Sequence, residues 1–80
     1  MKFKSKPTVI EAEQWHGPES SPMTGVFCVG NTDDWSNYYV VTIHGERAGL
    51  SPGDWVIQEP DGVHHYPCRP DIFAARYEPL

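Results

Sequence analysis

Eighty residues is about half the usual length of one domain, which excludes a multidomain enzyme, and a chain of this size buries only roughly 63% of its unfolded surface, leaving a small core. The hydrophobic set is 39% and charged residues 21%, but three Trp, four Tyr and three Phe argue against disorder, because each ring can bury a large area. A formal charge of −5 repels nucleic-acid phosphates and anionic lipid, so non-specific nucleic-acid and membrane-surface binding are not expected.

Along the chain, the start at Lys2-Phe3-Lys4-Ser5-Lys6-Pro7 is basic like the head of an export signal, yet Glu11 and Glu13 stand where its apolar core belongs. No export by that route is expected, and Cys28 and Cys68 are read as reduced thiols. The apolar runs Tyr38 to Val41 and Ile72 to Ala75 are far too short to span a membrane. Eight Pro and seven Gly at short intervals leave no window for a long helix before Pro70, so the fold class is mainly β. Thr8 to Trp15 reads as a strand, and His16 to Gly25 as an exposed loop. Val26 to Val29 is a short strand closed by the turn-rich Gly30 to Asp34. Tyr38 to Ile43, rich in β-branched and aromatic residues, turns at His44-Gly45 and returns as Glu46 to Leu50. Ser51-Pro52-Gly53-Asp54 has the order of a type II turn before Trp55 to Gln58, and Glu59-Pro60-Asp61-Gly62 repeats the device before Val63 to Tyr66. Residues 38 to 66 therefore read as a four-stranded meander. Pro70 and Asp71 start one helical turn through Phe73, and Ala74 to Glu78 runs out as a last strand. The expected architecture is one domain over 1–80, a strongly bent antiparallel sheet or half-barrel of five to six strands.

Four His and two Cys invite a metal reading, but no Cys-x-x-Cys or His-x3-His pair exists, and Pro67 interrupts the strand that would align His64, Tyr66 and Cys68. No metal or cofactor is expected. His65 three residues before Cys68 is the only local nucleophile–base pair, and there is no nucleophile elbow, no Gly-rich phosphate loop and no carboxylate pair in need of a special pKa, so an enzyme is unsupported. Asp54 and Asp71 are accounted for by turn and cap hydrogen bonds. Aromatics beside cations form the remaining pattern: Phe3 between Lys2 and Lys4, Tyr66 near His65 and Arg69, Tyr77 after Arg76. A β surface of this kind can stack a base and meet phosphate, although Trp15, Trp55, Phe27, Phe73 and Tyr77 are also needed for the core of so small a chain.

The stretch Lys6-Pro7-Thr8-Val9-Ile10-Glu11-Ala12-Glu13-Gln14-Trp15, then Pro52-Gly53-Asp54-Trp55, then Tyr66-Pro67-Cys68-Arg69-Pro70-Asp71-Ile72-Phe73, resembles a family of short, uncharacterised bacteriophage and prophage proteins, with 16–37 as its variable, loop-rich insert. The resemblance implies a phage accessory protein acting in the host bacterial cytoplasm. Two functional types follow: a non-enzymatic homo-oligomer that sequesters a small phosphorylated ligand, such as a nucleotide immune signal, or a minor virion, morphogenesis or host-protein-binding module. A small cytosolic hydrolase comes last. For the first type the expected ligand-binding residues are Trp15 and Tyr66 stacking on the base, Lys4, Arg47 and Arg69 at phosphate, and His65 donating a hydrogen bond.

Overall fold

The computed structural model describes residues 10–20 and 22–77. Six strands, β1 (Ala12–Gln14), β2 (Phe27–Cys28), β3 (Tyr38–Val41), β4 (Arg47–Gly49), β5 (Trp55–Gln58) and β6 (His65–Cys68), precede one helix, α1 (Pro70–Arg76). Single turns of 3-10 helix lie at Pro18–Ser20 and Trp35–Asn37. The strands expected before Pro70 are present, Trp55 to Gln58 with its bounds unchanged, and of the strand expected over 8–15 the first two residues lie outside the described ones.

The strands form two antiparallel three-stranded sheets, ordered β1–β5–β6 and β2–β3–β4, and not the single bent sheet or half-barrel expected. The meander divides between β4 and β5 for a local reason. Asp54 N–H donates to the Ser51 carbonyl at 3.0 Å, while Asp54 Oδ2 accepts from Ser51 N–H at 3.0 Å, closing the turn on itself. Gly53, at φ +98°, supplies the left-handed residue that a type II turn requires at its third position. The chain leaving that turn is captured by the first strand instead of by β4: Trp15 N–H donates to the Asp54 carbonyl and Gly53 N–H to the Trp15 carbonyl, both at 2.7 Å.

Two more boundaries differ from expectation. The strand expected at Val63 to Tyr66 starts at His65 and runs to Cys68, because Asp61 Oδ1 holds the N–H groups of Val63 and His64 in the preceding turn, each at 2.9 Å. Pro67 is accommodated because β6 is an edge strand, where a missing N–H costs no ladder bond. The helix extends over seven residues, which replaces the described part of the expected last strand Ala74 to Glu78. Ala74-Ala75-Arg76 are strong helix formers, and Phe73 and Tyr77, four apart, face sheet β1–β5–β6 together. Phe73 stacks on Trp55 with centroids 4.1 Å apart and planes 4° from parallel, and Tyr77 packs on Phe73 at 4.9 Å.

The core lies between the sheets: Trp15, Tyr38, Val40, Leu50 and Val56 are buried, with Met23, Val26, Cys28 and Ala48 against them. Ile57, fully buried, occupies the opposite face of β5 with Trp55, on the side α1 covers. Phe27 does not join the core as the composition led one to expect, and is 51% exposed.

Candidate functional site

The structure disperses the residues that the sequence grouped. Trp15 is fully buried, with its ring 5.2 Å from that of Tyr38, so neither face is open for a base. His65 and Tyr66 are neighbours in β6, and strand alternation sends them to opposite faces of the sheet. Tyr66 goes to the α1 side, where its hydroxyl lies 3.5 Å from that of Tyr77; burial, followed by that contact, pushes its hydroxyl up to about 12. His65 goes to the other face and is 7% exposed. Arg69 is exposed at the N-cap of α1, its carbonyl accepting from Phe73 N–H at 2.8 Å. Arg47 stands on β4 in the other sheet. Lys4 lies outside the described residues.

One aromatic–cation constellation does form, around Arg47 and without the other expected members. Register places Phe27 opposite Tyr39, Tyr39 opposite Gly49, and Val41 opposite Arg47. Residues paired across an antiparallel sheet share a face, so Phe27, Tyr39 and Gly49 form one row and Val41 with Arg47 the next, all on the face turned away from the core. The Phe27 and Tyr39 rings are 5.8 Å apart and tilted by 32°. The Arg47 guanidinium lies 4.6 Å from the Tyr39 centroid. Among the described residues Arg47 has no carboxylate partner, the only ion pair being His64 with Asp61. Gly49 ends the row, and a side chain added there would meet nothing within 4 Å. A half-exposed ring, a second ring, a cation fixed over it and open space beside them make a shallow platform for a flat, anionic group.

Sequence reasoning missed Phe27, Tyr39 and Gly49 because Val26-Phe27-Cys28-Val29 and Tyr38-Tyr39-Val40-Val41 are apolar throughout, and an unbroken apolar run does not say which alternate set faces inward. The adjacent Arg47, on the predicted return strand, was the available clue.

The concave surfaces have the opposite electrostatic character. A groove of about 250 Å³ is lined by Glu11, Glu13, Gln58, His65, Met23 and Thr24 among others, and a broad depression of about 910 Å³ includes Glu11, Glu46 and Glu59. Among the described residues no Lys or Arg lines either one. Among the described residues no three His, Cys, Asp or Glu side chains are grouped so as to hold a metal ion, and Cys28 and Cys68 are both free thiols. No described helix is long and apolar enough to cross a membrane. Comparison of the chain with protein-family models, with curated proteins and with solved structures gives no match.

Proposed function

We propose that the protein is a non-enzymatic binding module that holds a small planar phosphorylated ligand, of nucleotide type, on the outer face of sheet β2–β3–β4. The observation that carries this reading is the row Phe27, Tyr39 and Gly49 with Arg47 fixed over Tyr39 and free of any described carboxylate. A base stacks on the exposed Phe27 ring, while Arg47 donates to phosphate in the fork geometry suited to it. The two carboxylate-lined concavities repel such a ligand, which confines it to this face. Together with the resemblance to short phage proteins, this supports sequestration of a host nucleotide signal in the bacterial cytoplasm. The buried apolar core of the described residues has six members, which supports association of copies of the chain.

The test is to mix the purified protein with a panel of cyclic and linear nucleotides, recover the complex, denature it by heat and identify what is released. Unmodified nucleotide is expected. Arg47→Ala should weaken binding by about tenfold to a hundredfold, the effect of losing a charged hydrogen bond. Cleaved product would make the protein an enzyme. Absence of binding to every member, with the protein present in purified virions, would favour the structural alternative, for which Phe27 in β2 and Val29 just after it, both more than half exposed, would be the contact surface.

A further inference from the structure

The sheet face that carries Trp15 and Val56 into the core does not end there. By alternation and register it continues through Glu11 and Glu13 on the β1 side and Gln58 and His65 across β5 and β6, and with Met23 and Thr24 these residues line the groove of about 250 Å³. His65 is built into its wall: the residue is 93% buried, and Gly25, at φ +86°, lies so close to it that a Cβ at that position would overlap the imidazole. Among the described residues no hydrogen bond reaches either ring nitrogen of His65. The Gln58 amide is already committed, donating to the Gly62 carbonyl at 2.8 Å. Among the described residues, what remains facing the groove is two carboxylates, the Thr24 hydroxyl and an imidazole with no described partner, a set dominated by acceptors and negative charge. Its volume is below the range that holds drug-sized molecules, and it suits one small head group.

We propose that this groove binds the cationic head of an alkylammonium or alkylguanidinium compound, with Glu11 and Glu13 flanking the charge and an imidazole nitrogen of His65 accepting one N–H. The complementarity is chemical: ammonium and guanidinium groups carry several donors and no acceptor, matching a wall of acceptors. This site is separate from the aromatic platform, on the other sheet, and stands or falls independently of it.

The full chain is titrated by calorimetry and by NMR with butylammonium, butylguanidinium, acetyl-arginyl-methylamide, tetramethylammonium and butyrate. Saturable binding of butylammonium or butylguanidinium is expected, with Kd at or below about 1 mM. Tetramethylammonium, which has no N–H to give, and butyrate should bind at least about tenfold more weakly. Glu13→Gln, an exposed position that leaves the fold intact, should weaken the cation by about fivefold, and His65→Phe should weaken it further while retaining bulk against Gly25. Tighter binding of the arginyl amide than of butylguanidinium identifies a polypeptide side chain as the source of the cation, and the reverse a free small cation; either supports the site. No saturation by about 10 mM, equal affinity of the Glu13→Gln protein, or equal binding of butyrate overturns it.

Discussion

At the residue scale, two side chains with shifted pKa tie stability to pH at opposite ends of the scale. Asp61 accepts the backbone N–H groups of His64 and Val63 and contacts the His64 ring, and these hydrogen bonds, the His64 backbone one foremost, lower its carboxyl to about 2 from the ordinary 3.8. A depressed carboxyl contributes stability that is complete above 3.8 and is lost as pH falls through 2. The melting temperatures of the native chain and of Asp61→Asn should therefore differ at neutral pH and converge near pH 2; a gap that stays constant on acidification would contradict this account. Tyr66 works with the opposite sign. Its neutral hydroxyl is favoured, first by burial and then by Tyr77, so its contribution is complete below the ordinary 10.0 and is lost as pH rises toward 12. Burial also raises the Tyr38 hydroxyl, so an ultraviolet titration should show late tyrosinate transitions of which Tyr66→Phe removes one. The placement of His65 beside Tyr66 in the sequence suggested one shared site, and strand alternation is the physical reason they do not share it: neighbours in a strand are the two residues most surely separated.

At the element scale, turn chemistry was the most readable part of the sequence. Pro52-Gly53 and Pro70-Asp71 stand where a type II turn and a helix start are found, and β5 lies between expected turns with its bounds unchanged. Pairing was less readable. Nothing in Ser51 to Asp54 announces that Trp15 will take both backbone bonds at 2.7 Å, and that long-range capture is what divides the meander into two sheets. The helix, too, is decided by tertiary contact: a short segment is marginal alone, and the stack of Phe73 on Trp55 holds it to the sheet. Phe73→Ala should cost about 2 kcal/mol, less than a fully buried Phe because this side chain is half-buried. Helical circular dichroism should weaken and Trp55 emission should shift to the red, while an unchanged spectrum would mean that α1 stands without the stack.

At the scale of the whole molecule, the described concave surfaces and the outer face of β2–β3–β4 differ in charge. The concave surfaces carry Glu11, Glu13, Glu46 and Glu59, and the outer face of β2–β3–β4 carries Arg47 with two aromatic rings. Composition conveyed the net acidity but not this separation, which depends on which alternate residues of two wholly apolar strands turn outward. The small core leads to the expectation that the chain has the mass of two or more copies by light scattering at micromolar concentration, and a single-chain mass throughout that range would count against association. The central claim, that the aromatic face is the ligand surface, is tested most directly by NMR titration of isotope-labelled protein with the nucleotide recovered from the panel. Chemical-shift changes are predicted to concentrate on Phe27, Tyr39, Val41, Arg47 and Gly49, and to vanish in Phe27→Ala together with about 1–3 kcal/mol of binding free energy. Changes centred instead on Glu11, Glu13 and His65, or undiminished in the Phe27→Ala protein, would contradict the assignment.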